Sequence, residues 1–491
     1  MLLSIVLIPM SLGILAFFIS SRHLRRTMLL MGSGGHSAAV IISAMNQTSI
    51  KPGAWIGLDA LGLLFLAITS ILFAAVAVYT TWYLARESDH RVRDAEEGFS
   101  FANKSEGVFI ACLLFFLTTM SLVCISRDLG LLWVAVEATT LVSAPLISFH
   151  QHHRSLEATW KYLLICSVGI AMALLGNYFV AYAGRGRVHL HIDHLLSAAT
   201  TLDPLWLKAG FLMLLVGYGT KMGLAPMHTW LPDAHSEAPS MVSTLLSGAL
   251  LNCAFLGILR GNSVLNAAGL GQFSSELLIF FGLLSISVAA VFIIRQTDYK
   301  RMLAYSSIEH MGILSLGMGI GGLAGTGAML HAICHSLTKG MLFLCAGQLL
   351  HLYRTKTASD VRHVLHSLPL TGFLWMAGFL SITGSPPFGL FVSEVTILKG
   401  ALENGLWGVA AGYLTALAII FIALARIILP MVFGHPEGPV LPDDPVFPSR
   451  EELWYAIPAI ALGAIPLLLG LYVPSGLWDF LARAAAAAGG H

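Results

Sequence analysis

Charge is what this chain has least of. Only 11% of its 491 residues are Asp, Glu, Lys or Arg, whereas 56% are hydrophobic, and the mean hydropathy is +0.79. Globular soluble domains carry about 25% charged residues, so an ordinary water-soluble enzyme is excluded. The net charge of +1 gives no basic surface for a nucleic acid, and no nucleic-acid partner is expected. The six cysteines, Cys112, Cys124, Cys166, Cys253, Cys334 and Cys345, lie singly in apolar runs with no CxxC pair. That excludes a cysteine-bound iron–sulfur cluster or a structural zinc site of recognisable spacing. The first twenty residues lack a basic leader and a small-residue cleavage site, so they read as a retained helix rather than a signal peptide. No alternating ten-residue strand pattern appears, which leaves helices as the membrane-spanning elements.

What the chain does have is long apolar runs of the length a helix needs to cross lipid. About fourteen are present, near 1–20, 27–46, 57–83, 107–126, 129–149, 160–183, 205–232, 240–262, 275–295, 302–320, 325–352, 369–405, 407–433 and 453–475. Most Lys and Arg fall in the loops after odd-numbered spans, which places those loops in the cytoplasm and both termini on the outer side. An even span count requires the termini to share a side, in agreement. Two spans exceed what a membrane needs and contain prolines: 205–232 with Pro226 and Pro232, and 369–405 with Pro386 and Pro387. A proline removes a backbone donor and clashes with the preceding turn, so the seventh and twelfth helices are expected to be discontinuous. They lie five spans apart, an odd number, so two five-helix units around them have opposite topology, the arrangement of ion-coupled transporters with broken helices at the site. The expected fold is an all-α integral membrane protein of about fourteen transmembrane helices. Its segments are 1–104 (three helices and a loop), 105–265 (helices 4–8), 266–435 (helices 9–13, the inverted repeat) and 436–491 (loop and helix 14).

A few charges remain inside these spans: Lys221, Lys339, Lys399, Arg426, Glu137 and Glu394. Each costs about 2.5–3.5 kcal/mol at the bilayer centre on insertion scales, so it must face protein or water, and ion pathways are the usual reason. Packed ion pairs are the structural alternative, and Lys399 and Arg426, near span ends, can snorkel. At about 4 Å and an effective dielectric near 20, a Glu–Lys attraction is about 4 kcal/mol. Moving or neutralising the carboxylate therefore changes how firmly the lysine holds its proton. Arginine could not serve, because it stays protonated.

Histidines supply the expected relay. HAICHSLTKGMLFLCAG places His331, His335 and Lys339 at four-residue intervals on one helix face, and His310, with Ser306 and Ser307 in AYSSIEHMGI, extends the line. His228, Asp233, His235 and Glu237 after the first helix break are secondary candidates, as are Lys399 and Asn252. HxxxH is also a zinc spacing, but Ala332 stands where a HExxH protease has glutamate, and no metal site is expected. Gly317-Met-Gly-Ile-Gly-Gly matches GxGxxG without the preceding strand, and reads as close helix packing rather than a nucleotide site. No cofactor site is expected in this chain.

GYGTKMGLAPMHTWLPDAHSEAPS, LAYSSIEHMGI, HAICHSLTKGMLFL and SPPFGLFVSE resemble the antiporter-like subunits of respiratory complex I and its relatives, over most of residues 105–435. LLWVAVEATTLVSAPL and SLEATWKYLLICSVGIAMALLG are most similar to component F of hydrogenase 4, the counterpart of NADH dehydrogenase subunit 4 in membrane-bound hydrogenases. The resemblance implies Glu137 as the fifth-helix carboxylate paired with Lys221, Lys339 as the central lysine, and Glu394 near the exit. Where relatives often carry an eighth-helix lysine this chain has Asn252, which leaves water, His310, His331 and His335 to bridge the gap. Only residues 476–491 follow the last span, too few for the lateral helix of the largest such subunit.

The resulting expectation is a proton-translocating subunit of a membrane-bound hydrogenase or complex I-like oxidoreductase, in the inner (plasma) membrane of a prokaryote. Its partners are other membrane subunits and a peripheral hydrogenase/iron–sulfur arm that holds the nickel–iron centre and iron–sulfur clusters. The alternatives are a subunit of a multi-subunit cation/proton antiporter, a non-pumping membrane scaffold of the same complex and, from the same family, a bicarbonate-uptake subunit. Hydrogenase genes next to this one favour the first reading; small antiporter subunits favour the second.

Overall fold

The computed structural model describes residues 2–46, 53–86, 92–93, 100–186, 188–434, 451 and 453–489. It is helical almost throughout. In chain order the helices are α1 (Leu2–Phe18), α2 (Arg22–Met45), α3 (Ala60–Arg86), α4 (Glu106–Ile125), α5 (Leu129–Ile147), α6 (His153–Ala183), α7 (Ile192–Ala198), α8 (Pro204–Met222), α9 (Leu231–Glu237), α10 (Ser240–Leu245) and α11 (Leu251–Ala267). They continue as α12 (Gly271–Ile293), α13 (Tyr299–Ile320), α14 (Gly322–Tyr353), α15 (Val364–Ser367), α16 (Pro369–Ile382), α17 (Gly389–Glu403), α18 (Trp407–Phe433), α19 (Leu453–Leu471) and α20 (Ser475–Ala487). The β structure among the described residues is a two-residue ladder, Val92–Arg93 against Ser100–Phe101, and a few isolated bridges. Residues 436–450, which open the fourth expected segment, lie outside the described residues.

Among the described residues, ten stretches are long and apolar enough to cross a membrane by length and composition: α2 to α6, Ser240–Ala267 (α10 through α11), α12, α14, α18 and α19. The apolar helices α1 and α16 are shorter. The charges of α8 (Lys208, Lys221) and α13 (Lys300, Arg301, Glu309) lower the mean hydropathy of those helices. Local signals set the helix starts. Asp128, Asp203 and Asp298 each cap a helix by accepting two backbone N–H groups that have no intrahelical acceptor.

The two expected discontinuities are present. α8 stops at Met222 because Gly223 takes a left-handed conformation (φ 83°), and the chain turns through the cis Ala225–Pro226 bond before α9 begins. The turn is held from outside: the Ala225 N–H donates to Ser285 Oγ on α12 (3.0 Å), and Trp230 Nε1 donates to the Thr220 carbonyl (2.8 Å). α16 stops at Ile382, Gly384 sits at φ 61°, and α17 starts after the cis Pro386–Pro387 bond. A third irregularity was not legible in the sequence. The expected 240–262 span contains a π-helical turn, Leu246–Leu250, between α10 and α11. Such turns leave a helix carbonyl without its usual partner and recur at functional sites.

Small residues bring the central helices together. A Cβ at Gly217 would strike the Ala173 backbone, joining α8 to α6; Gly282 and Gly312 abut across α12 and α13 in the same way. Gly317 and Gly319 pack α13 against α14 and α12, so the GxGxxG stretch is a packing element. At one end of the bundle Asp59, just before α3, accepts hydrogen bonds from both Arg260 of α11 and Arg127 of the α4–α5 turn (2.7 Å), and Arg127 also holds Asp193 of α7 (2.5 Å). α20 closes the bundle there, its Ala488 carbonyl accepting from Asn262 of α11 (2.7 Å).

Candidate functional site

Lys221 lies in the last turn of α8, fully buried, at the negative end of a helix cut short by Gly223. Its ammonium donates to Thr140 Oγ1 of α5 (2.8 Å) and to the Tyr162 hydroxyl of α6 (2.5 Å), and stands 4.4 Å from the Tyr162 ring centroid. The expected partner, Glu137, is close but not in direct contact. Thr140 Oγ1 stands between them at 3.3 Å from Glu137 Oε2, and Ser167 Oγ donates to Glu137 Oε1 (3.1 Å). Thr140 is one helical turn from Glu137, which lets a hydroxyl occupy the space a direct ion pair would need. Glu137 is also only half-buried. The adjoining faces of α5 and α6 expose Val134, Leu141, Trp160, Leu164, Val168 and Tyr178.

Around Lys339, hydroxyls and an amide pack α11 and the π-helical turn against α13 and α14. Ser247, on the π-helical turn, hydrogen-bonds Ser307 of α13 (2.8 Å), and Asn252 donates to Ser336 of α14 (2.8 Å) and to the Gly248 carbonyl (2.8 Å). Asn252 thus ties α11 to α14 through a neutral amide. Lys339, mid-span in α14 and fully buried, donates to the Leu303 carbonyl of α13 (2.6 Å), the same carbonyl to which Ser307 donates.

Beyond Lys339 the three histidines come together as the spacing predicts. His310 Nδ1 is 2.9 Å from His331 Nε2, and His331 Nδ1 is 2.9 Å from Ser393 Oγ of α17. The His335 ring is 4.7 Å from that of His310 and lies beside the Ser247 backbone. Ser306 is buried in the same region. Glu394 joins the cluster: its carboxylate and ring nitrogens of His310 and His331 lie within 4.8 Å of one another. Both ring nitrogens of His331 are engaged, by His310 and Ser393. The second helix break positions Glu394, because its carboxylate fills the space a side chain at Gly384 would occupy.

Other expected residues fall outside this line. Lys399 is a correction: its side chain is 65% exposed and pairs with Glu403 one turn on (3.7 Å), because it lies on the outward face of α17. Arg426 is likewise exposed. Asp233 is held by Lys161 (3.0 Å) and Arg301 (2.7 Å), and Glu237 by Lys356 (2.6 Å) with His152 at 3.7 Å, so both close ion-pair networks at the bundle end. His228 packs beside Phe292 and Tyr305, and His235 is fully buried and stacked on Phe343 (5.3 Å between rings). Replacing Lys399 by alanine is expected to leave proton translocation by the intact assembly within about two-fold of wild type, as for a surface substitution; a transport assay on reconstituted vesicles checks this.

The sequence reading missed Glu309. It is buried in mid-α13, within electrostatic reach of Lys339 and Glu394. The signal was available: an acidic residue inside the 302–320 apolar run meets the same criterion that selected Glu137 and Glu394. Tyr162, Thr140 and Ser393 were missed for a different reason, since nothing distinguishes a pathway hydroxyl from an ordinary helix-packing one until the partners are in place.

Two buried lysines, the carboxylates Glu137 and Glu394 and the clustered histidines thus lie around two broken helices in a bundle of apolar helices. Residues 126–419 match the family model described as NADH:quinone oxidoreductase/Mrp antiporter, transmembrane, and the chain belongs to this family. It is 36% identical over 396 residues to the hydrogenase-4 component F homolog of Methylacidiphilum infernorum, covering 79% of this chain and 81% of that one. It is 30% identical over 378 residues to NADH-quinone oxidoreductase subunit N of Desulforudis audaxviator, covering 75% of each. Among solved structures, the chain superposes on one in an archaeal membrane-bound sulfane sulfur reductase with a TM-score of 0.83 at 19% identity, covering 99% of this chain and 97% of that one. It also superposes on a chain of respiratory complex I from Thermus thermophilus with a TM-score of 0.77 at 24% identity, covering 98% and 100%. The protein is a multi-pass membrane subunit with the antiporter-like fold of complex I.

Proposed function

We propose that this chain moves protons through the Glu137–Thr140–Lys221, Ser247–Asn252–Lys339 and histidine–Glu394 groups, driven by redox chemistry in partner subunits of a membrane-bound hydrogenase or complex I-like oxidoreductase. The observation that carries the reading is that Lys221 and Lys339 are fully buried, each held by groups that can exchange protons or hydrogen bonds. A buried ammonium is costly unless its environment is built for it. Each lysine has its own set of polar neighbours, Thr140 and Tyr162 at Lys221 and the Leu303 carbonyl shared with Ser307 at Lys339.

The half-buried Glu137, on an apolar face of α5 and α6, suits coupling to a neighbouring membrane subunit. A charge or conformational change there alters the field at Lys221 through Thr140. Moving one charge against 100 mV takes about 2.3 kcal/mol, comparable to the attraction of such a pair. Lys221 then releases toward the Asn252 region, Lys339 takes up a proton, and the histidines carry one to Glu394. Lysines favour H⁺ over Na⁺, since Na⁺ sites are built from oxygen ligands.

The similarity to hydrogenase-4 component F favours hydrogenase partners, which would hold the nickel–iron centre and iron–sulfur clusters. The fold likeness to an Mrp complex chain keeps the antiporter alternative (TM-score 0.82, 19% identity). The architecture we propose has fourteen transmembrane helices, with α4 to α11 and α12 to α18 forming the two inverted repeats. Its membrane is the inner membrane of a prokaryote, and both termini lie on the outer side. Replacing Glu137 by glutamine is expected to slow proton translocation by at least about ten-fold, in the range of a lost proton-transfer group, while electron transfer in the assembly continues. Unchanged translocation in reconstituted vesicles would favour the scaffold reading.

A further inference from the structure

Three buried side chains from three helices meet in the second half of the molecule: His310 of α13, His331 of α14 and Glu394 of α17. One ligating atom of each lies within 4.8 Å of the others. The HxxxH spacing inside α14 says nothing of this, because the carboxylate arrives from beyond the second helix break. The hydrogen bonds around the group have a fixed direction. Ser393 Oγ donates to the Leu390 carbonyl (2.8 Å), so toward His331 Nδ1, 2.9 Å away, it accepts. A neutral His331 therefore carries its proton on Nδ1 and presents a bare Nε2. That nitrogen receives its hydrogen bond from His310 Nδ1 at 2.9 Å. Two atoms are left without a hydrogen-bond partner among the described residues, His310 Nε2 and Glu394 Oε1. Unsatisfied polar atoms this deep call for an ion or a water.

One proton holds the two rings together, and a metal ion can take its place. The Ile382 carbonyl has no intrahelical donor, because α16 ends there, and it stands beside His310. Moving the His310 proton from Nδ1 to Nε2 hands it to that carbonyl and leaves two bare ring nitrogens facing each other. A tetrahedral ion bound at about 2.0–2.1 Å sets its ligand atoms about 3.4 Å apart, so the rings need to open by about 0.5 Å. Glu394 then swings its free oxygen in as the third ligand, and the fourth position stays open. The proton count on the imidazoles is unchanged. Two imidazoles and a carboxylate suit Zn²⁺ and its borderline neighbours, whereas Mg²⁺ and Ca²⁺ take oxygen. Lys339 is held off: it lies eight residues from His331, about 12 Å along α14, with its ammonium on the Leu303 carbonyl. The second break gives access, since Glu394 Oε2 lies against Gly384 and the following Pro386 and Pro387 are exposed.

We infer that His310, His331 and Glu394 form a binding site for one zinc-like divalent cation, and that an ion bound there blocks proton transfer through the cluster. Ser393 is the outer support that fixes the tautomer of a metal-ligating histidine. The ion is an inhibitor here, not a resident cofactor. The site stands on its own geometry; the block rests on the pathway reading.

Equilibrium dialysis of the intact purified assembly against micromolar Zn²⁺, followed by metal analysis, tests this. The wild type is expected to hold one more Zn²⁺ per copy of this chain than Glu394→Gln or His331→Gln. Ser393→Ala keeps the ion with an affinity lower by about ten- to 100-fold. Zinc-edge X-ray absorption, taken as wild type minus Glu394→Gln, shows two imidazole nitrogens and one carboxylate oxygen at about 2.0–2.2 Å. The rival location is the cluster His189, His191 and His194, whose rings lie 5.4–6.3 Å apart; replacing all three by alanine leaves the ion in place. Size-exclusion elution with all partners shows that each variant is assembled. Equal zinc in the wild type and Glu394→Gln, or loss of the ion in the triple alanine variant instead, overturns the proposal. In reconstituted vesicles Zn²⁺ slows translocation by at least about ten-fold, a chelator reverses it, and Ser393→Ala needs more zinc for the same effect. Zinc held by this cluster with translocation undiminished would sink the pathway reading and leave the ion site standing.

Discussion

Replacing Lys339 by alanine is expected to reduce proton translocation by at least about 100-fold, the upper range for removing one proton-transfer group, with partner-subunit electron transfer retained. The reason is its position. Lys339 is fully buried, and its ammonium is fixed on the Leu303 carbonyl to which Ser307 also donates. Alanine leaves the Leu303 carbonyl without the ammonium and removes the group that could release a proton there. Lys339→Arg is expected to fail equally, because guanidinium keeps its proton. That arginine variant separates a lost charge from a lost proton carrier: a merely structural lysine would be rescued by it. Vesicles loaded with a pH-sensitive dye, and driven by the assembly's own turnover, give the readout.

The second large effect is on stability. Asp59→Ala is expected to cost about 3–5 kcal/mol, the range for breaking a buried ion pair by removing one partner. Asp59 receives both Arg260, which is 2% exposed, and Arg127, so among the described residues its loss leaves one buried guanidinium with no carboxylate and the other with Asp193 alone. The elements affected are the start of α3, the α4–α5 turn, α7 and the end of α11, which together close one end of the bundle. Thermal unfolding followed by intrinsic fluorescence in detergent checks this, and the melting temperature should fall clearly below wild type. A change within the spread of neutral surface variants would show that the network is not a structural clasp.

The charges in apolar runs made the outline of the site legible from the residues alone. Lys221, Lys339 and Glu394 stood out because a buried charge in lipid needs a reason, and His331 and His335 followed from four-residue spacing. Pro226 and the Pro386–Pro387 pair marked the helix breaks, because a missing N–H is a local property of the residue. What the sequence did not give away depends on partners far along the chain. Thr140 stands between Glu137 and Lys221 because α5 and α8 approach at that height, which no local pattern encodes. The π-helical turn at Leu246–Leu250 carries no proline or glycine pair to announce it, only one glycine in an apolar run. Lys399 was misjudged for the opposite reason: the break before Gly389 sets the phase of α17, and that phase turns Lys399 outward while Glu394 turns inward. Glu309 was readable and overlooked, hidden beside a histidine that drew the attention.

The path we propose from Lys221 to Glu394 depends on solvent between the named side chains, since Lys221 and Lys339 do not touch. A cryo-electron density map of the intact assembly, at a resolution that shows ordered water, tests this most directly. The expected result is a chain of water density at hydrogen-bond spacing running from the Tyr162 hydroxyl and Lys221 ammonium past Ser247 and Asn252 to Lys339, and on to Glu394. A dry, apolar interval between Lys221 and Asn252 would contradict it.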